Sequence, residues 1–122
     1  MSKILIVEDD NFLLEMLIKE SKKEGFDIEI STDGEDALKK IKSDSFDVVL
    51  LDLILPKLHG LDLLEKTKDI TNAPPIIVVS NLYDKESIDK ATSLGAKDYI
   101  IKVQSTPENI IKKVKTFLAE KD

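Results

Sequence analysis

Four acids stand where apolar runs give way to polar chain. Glu8, Asp9 and Asp10 follow Ile4-Leu5-Ile6-Val7, and Asp52 follows Val48-Val49-Leu50-Leu51. A short, unbroken apolar run is the pattern of a strand buried on both faces. Each acid group therefore marks the exit of a buried strand. Taken singly, an Asp there is a turn former, and Asp10 reads as the N-cap of a following helix. Taken together they point to more. Crowded carboxylates repel, and one takes up a proton unless a cation intervenes. A hard, oxygen-seeking ion such as Mg²⁺ relieves that repulsion and keeps waters that a phosphate can displace. Two further strand exits carry Ser80, after Ile76-Ile77-Val78-Val79, and Lys102, after Tyr99-Ile100-Ile101. A hydroxyl and an ammonium beside such a carboxylate complete a pocket for phosphate oxygens. Phosphoryl transfer needs this kind of site, because its catalysis rests on positioning and charge neutralisation. A carboxylate nucleophile, here Asp52, gives an acyl phosphate.

These side chains meet only if the strands carrying them are neighbours. Strand-like apolar runs alternate with amphipathic, helix-like stretches about five times along the chain. Residues 11–24 carry Phe12, Leu13, Met16 and Leu17 at helical spacing, and Gly25 stops them. Phe26, Ile28 and Ile30 alternate with polar residues, as in a strand with one wet face. Asp33-Gly34 opens a second helix with Ala37, Leu38 and Ile41, and Pro56 precedes a third with Leu61 and Leu64. Asp84 caps a fourth, with Ile88, Ala91 and Leu94 inward and Gly95 as its stop. Thr106 and Pro107 supply the N-cap and first residue of a fifth. Alternation of this kind predicts an α/β fold, with right-handed crossovers and a parallel sheet covered on both faces. The runs without polar alternation belong in the centre and the alternating run at an edge. The flavodoxin-like, doubly wound order 2-1-3-4-5 satisfies this, and its ligands bind at the carboxyl ends of the strands. Glu8 and Asp9 then face Asp52, with Ser80 and Lys102 approaching from the other side.

Composition narrows the class. At 122 residues, the length suits one domain with a sizeable core. The net charge is −6 and all 18 bases are Lys, a poor basis for direct contact with nucleic acid. There is no Cys, which excludes disulfides, thiolate metal sites and Cys nucleophiles. The sequence shows neither a secretion signal nor a membrane span, so cytoplasmic residence is the default expectation.

With these residues in place, the whole chain resembles the CheY-like receiver domain of two-component response regulators. The resemblance rests on residues 4–10, on Asp47-Val48-Val49-Leu50-Leu51-Asp52 followed by Pro56 and Gly60, on Val78-Val79-Ser80, and on residues 95–102. It implies a single receiver domain over residues 1–122, with no output domain in this chain. It implies that Asp52 is the phosphoacceptor. Asp9 and Asp52 would bind Mg²⁺ directly, Glu8 through water, and the Ile54 backbone carbonyl as a further ligand. Ser80 would be the hydroxyl that swings toward the phosphate, Lys102 the ammonium that contacts it, and Tyr99 the switch aromatic that turns inward. The expected readout face is the fourth helix, fifth strand and fifth helix. A histidine kinase or phosphotransfer protein would be the donor, with an unknown output protein as target. The chain would be a signalling phosphoacceptor rather than an enzyme, with only self-phosphorylation and self-dephosphorylation chemistry. It would act as a monomer or weak homodimer, phosphorylated in a two-component phosphorelay.

The sequence departs from that family at several places near the site, among them the following. Val103 follows Lys102 where Pro, often after a cis bond, is usual; without Pro a cis bond costs roughly 3 kcal/mol, so a trans bond is expected. Asn81 follows Ser80 where a small residue is usual, and its amide is expected to narrow access to the phosphate or to bond to it. Ile54 is apolar beside the acyl phosphate, and is expected to shield it from water and slow its loss. His59, the only His, reads as a surface loop residue. Other classes fit less well. A haloacid-dehalogenase-type phosphatase needs a second acid two residues after the nucleophile, where this chain has Ile54. A nucleotide-binding flavodoxin-like or Rossmann module needs a Gly-rich turn after the first strand, where this chain has Glu8-Asp9-Asp10-Asn11. A pseudo-receiver, an interaction module without phosphorylation, is the alternative that keeps the same fold.

Overall fold

The computed structural model describes residues 2–120; the expected domain's outermost residues, 1, 121 and 122, lie outside the described residues. Strands and helices alternate as the apolar pattern predicts: β1 (Lys3–Val7), α1 (Asn11–Lys23), β2 (Asp27–Ser31), α2 (Gly34–Ser43), β3 (Val48–Leu51), α3 (Gly60–Thr67), β4 (Ile76–Ser80), α4 (Lys85–Ser93), β5 (Asp98–Ile101) and α5 (Pro107–Glu120). A three-residue 3-10 turn, Lys102–Gln104, links β5 to α5. The sheet is parallel, in the order β2-β1-β3-β4-β5. The alternating strand β2 lies at one edge, and the continuous apolar strands β1, β3 and β4 fill the centre, as expected.

Side-chain alternation divides the core in two. Ile4, Ile6, Val48, Leu50, Ile77, Val79 and Ile100 meet Leu14 and Leu17 of α1 and Ile110, Ile111 and Val114 of α5. On the other face Leu5, Val7, Val49, Leu51, Ile76 and Val78 meet Ala37 and Ile41 of α2, Leu63 and Leu64 of α3, and Ala91 and Leu94 of α4. Strands buried on both faces are apolar almost throughout, which is why their runs show no alternation. Each fully buried Leu or Ile contributes about 1.5–3 kcal/mol over leaving it exposed.

The helix ends follow local chemistry. Asp10, Asp33, Asp84 and Thr106 each accept a backbone N–H of the following first turn, satisfying donors that have no partner within the helix. Gly25 and Gly95 follow α1 and α4 with φ of 78° and 104°, a conformation costly for other residues. One expectation needs correction. Phe12 is 76% exposed, because the buried stripe of α1 runs through Leu14, Leu17 and Ser21, a step further round the helix. In α3, Leu63 and Leu64 are buried, and Leu61 packs half-buried against the same core. No helix among the described residues is long and apolar enough to cross a membrane.

Candidate functional site

The chain reverses its direction of winding between β1 and β3, so the crevice at their carboxyl ends is the place for a ligand. Backbone pairing carries on one residue past each strand there. The Glu8 amide donates to the Ser31 carbonyl at 3.0 Å, and the Asp52 amide to the Val7 carbonyl at 3.0 Å. Both acids are thereby fixed by the sheet rather than by a loop. Glu8 and Asp52 are buried, at 2% and 5% exposure, while Asp9 faces solvent. One carboxylate oxygen from each of Glu8, Asp9 and Asp52 lies within 4.8 Å of the others. Behind Asp52 the chain turns back sharply, with the Gly60 amide donating to the Leu53 carbonyl at 2.8 Å. A Cβ on Gly60 would lie 2.5 Å from Leu53 Cα and 2.7 Å from the Asp52 carbonyl oxygen, so only Gly allows this approach.

Lys102 supplies the opposing charge. Its Nζ lies 2.8 Å from Asp52 Oδ2 and 2.7 Å from Glu8 Oε1, so its side chain spans from β5, past the end of β4, to β3 and β1. Burial opposes the ammonium charge, yet the hydrogen bonds to Asp52 and Glu8 outweigh it and push Lys102 upward. Glu8 behaves differently. Burial, reinforced by the Asp52 charge, pushes it up from 4.5 to about 7 despite the contact with Lys102. The contact with Lys102 thus does not fully offset the cost of burying the Glu8 carboxylate.

Ser80 is fully buried at the end of β4, and its Oγ accepts the Leu82 amide at 3.2 Å. Tyr99, half-buried on β5, donates its hydroxyl to the Leu82 carbonyl at 2.5 Å, and burial pushes that hydroxyl's pKa upward. Ser80 and Tyr99 therefore both hold the segment that joins β4 to α4. Ile54 is 53% exposed at the mouth of the site, and its amide donates to Asp52 Oδ1 at 3.3 Å. Asn81 Oδ1 accepts the Val103 amide at 3.0 Å, so its amide group is engaged with the loop after β5. There are no cis peptide bonds among the described residues, in line with the trans bond expected before Val103. The site residues named from sequence thus sit at one end of the sheet. Two contacts were not foreseen: the second partner of Lys102, Glu8, and the Asn81–Val103 bond. His59 is half-buried rather than a plain surface residue, and its Nδ1 accepts the Leu61 amide at 3.2 Å as the N-cap of α3.

The donor set fits a hard divalent cation. All three convergent groups are carboxylates, the class that Mg²⁺ prefers, and their oxygens lie within 4.8 Å of one another. The combination of this fold and this acid cluster is matched by known proteins. The model of the response regulator receiver domain matches residues 4–115. The chain belongs to that family. Among relatives of this receiver domain, response regulator ArlR of Staphylococcus saprophyticus is 38% identical over 104 residues, covering 84% of this chain and 46% of the relative. The receiver domain thus spans less than half the length of that relative. Among solved structures, a two-component response regulator from Clostridium difficile is 30% identical and superposes with a TM-score of 0.91, covering 100% of this chain and 99% of that one. A CheY-like receiver domain protein from Methanospirillum hungatei is 31% identical with a TM-score of 0.90, covering 98% of this chain and 95% of the other. Residues 4–115 therefore form a receiver domain of the two-component response-regulator type, with the fold read from the sequence.

Proposed function

We propose that this receiver domain accepts a phosphoryl group on Asp52 from a histidine kinase or phosphotransfer protein and signals through α4, β5 and α5. The observation that carries this reading is the convergence of Glu8, Asp9 and Asp52 within 4.8 Å, with Lys102 Nζ 2.8 Å from Asp52, at the carboxyl end of the sheet. In the transfer, an Asp52 carboxylate oxygen forms a bond to phosphorus as the donor's P–N or P–O bond breaks. The electron pair of that bond leaves on the donor, and an acyl phosphate remains. Asp9 and Asp52 would hold Mg²⁺ directly, with Glu8 through water and the Ile54 carbonyl as a further ligand. The ion would supply neutralisation of charge on the phosphate oxygens.

The protein's own groups do the rest. Lys102 turns its ammonium from the Asp52 carboxylate to a phosphate oxygen. Ser80 gives up the Leu82 amide and points its hydroxyl at the phosphate. Leu82 is also held by Tyr99, so movement of Ser80 frees the Tyr99 hydroxyl and lets the ring reorient, passing a local charge change to the α4–β5–α5 face. Ile54 stands over the entrance and limits water. Phe12, Ile54, Tyr83 and Val103 are exposed apolar side chains in the segments that follow β1, β3, β4 and β5, and would offer a donor protein apolar surface at that end of the sheet. The output protein takes the opposite role, reading the altered face.

Incubation with Mg²⁺ and acetyl phosphate, followed by intact mass measurement, tests this. The expected result is a gain of one phosphoryl group that disappears in Asp52→Asn. An unmodified wild-type protein would favour the pseudo-receiver reading.

A further inference from the structure

The Asn81–Val103 hydrogen bond has a place in the site that its position on the surface conceals. The β4–β5 ladder ends at the pair Ser80 and Ile101. The next residue on β4 is Asn81, and the next on β5 is Lys102. Beyond that last rung the main chains part, β4 toward α4 and β5 into the 3-10 turn. Asn81 Oδ1 then takes the Val103 amide at 3.0 Å, so a side chain supplies one more rung. This rung joins the residue after Ser80 to the residue after Lys102. At the end of the turn the Ser105 amide donates to the Lys102 carbonyl at 3.1 Å.

Lys102 must span the end of β4 to reach Asp52 and Glu8, and the direction in which its side chain leaves depends on the peptide that follows it. We infer that Asn81 is a positioning residue: by holding the Val103 amide it aims Lys102 at the phosphoacceptor and ties the Lys102 turn to the Ser80 loop. This rests on the reading of Asp52 as phosphoacceptor. The amide of Asn81 contacts no reacting group in doing so, and its effect passes through the backbone of the Lys102–Val103 peptide. Any movement that carries Ser80 toward a phosphate must drag this rung or break it. The link therefore makes the two phosphate-contacting residues move as one unit. The rung requires a residue other than Pro at position 103, since Pro carries no N–H.

The test is a double-mutant cycle on Asn81→Ala and Val103→Pro, read as the initial rate of Asp52 phosphorylation by acetyl phosphate at saturating Mg²⁺. The loss of one net hydrogen bond predicts a rate about two- to tenfold lower in Asn81→Ala. In the Val103→Pro background, Asn81→Ala should cause no further loss, because the bond it removes is already absent. A merely structural role for Asn81 would instead give additive losses. Hydrogen exchange supplies a second readout, independent of phosphorylation and of whether the Pro variant folds. The Val103 amide should lose protection in Asn81→Ala while the Ser80 and Ile101 amides keep theirs. An unchanged phosphorylation rate in Asn81→Ala, additive losses in the cycle, or unaltered Val103 exchange overturns the inference. Failure of the wild-type protein to take a phosphoryl group would overturn the phosphoacceptor reading itself, an outcome seen before any variant is compared.

Discussion

Replacing Lys102 with Met keeps much of the side-chain bulk and removes the only ammonium that contacts the two buried acids among the described residues. In the metal-free protein Glu8 sits at about 7 instead of 4.5. At 1.36 kcal/mol per unit, ionising Glu8 costs the folded state about 3 kcal/mol relative to the unfolded chain. The sign follows from the upward shift. This contribution to stability is fully present below about pH 4.5 and is lost as pH rises toward 7. Lys102 moderates the loss through contacts of 2.7 Å to Glu8 and 2.8 Å to Asp52. Breaking a buried pair by removing one partner costs roughly 3–5 kcal/mol. The Lys102 side chain keeps 15% of its exposure, and Glu8 relieves the charge by taking up a proton, so the lower end of that range applies. Lys102→Met should therefore lose about 3 kcal/mol near pH 8 in EDTA and about 1 kcal/mol near pH 5.5, where Glu8 carries its proton. Its decline with pH should also extend above 7, since Glu8 has lost the partner that held it down. Urea denaturation followed by circular dichroism measures both values, and saturating Mg²⁺ at pH 8 should recover most of the difference. An equal loss at the two pH values would refute the argument that Lys102 compensates a shared charge on Glu8 and Asp52.

Gly60→Ala should cost about 1–3 kcal/mol, the usual range for overpacking, because its Cβ would meet backbone atoms of Leu53 and Asp52. Phosphorylation should slow with it, and a stability loss without any rate change would separate the Gly60 turn from the site. Ser21→Ala should stabilise the protein by roughly 1 kcal/mol, since the Ser21 hydroxyl is fully buried and has no hydrogen-bond partner; a lower melting temperature would show that the hydroxyl is satisfied in solution. Ile54→Asn should shorten the lifetime of the acyl phosphate by admitting and orienting water, and an unchanged lifetime would remove Ile54 from the account.

The sheet order was readable because polarity reports burial directly: a strand such as β3 with two covered faces runs apolar without alternation, and an edge strand such as β2 alternates. The acids were readable for the same reason, since an abrupt change from Val7 to Glu8 or from Leu51 to Asp52 marks the point where the chain leaves the core. Helix phase was less legible. Phe12, Leu13, Met16 and Leu17 match helical spacing as well as Leu14, Leu17 and Ser21 do, and only the tertiary position of α1 decides which stripe turns inward. Contacts between loops left no periodic signal at all. Asn81 and Val103 stood out as unusual neighbours of Ser80 and Lys102, but nothing in their spacing of 22 residues says that one side chain accepts the other's amide. The cap made by His59 was hidden because His is an uncommon residue at that position.

The most direct test of the central claim is the location of the phosphoryl group. Protein phosphorylated with acetyl phosphate and Mg²⁺ is reduced with borohydride, which converts an aspartyl phosphate to homoserine, and is then digested and sequenced by mass spectrometry. Homoserine at position 52, absent when Mg²⁺ is withheld, is the predicted result. Homoserine at position 9 or 10 instead, or none anywhere in a protein that has gained a phosphoryl group, would contradict it.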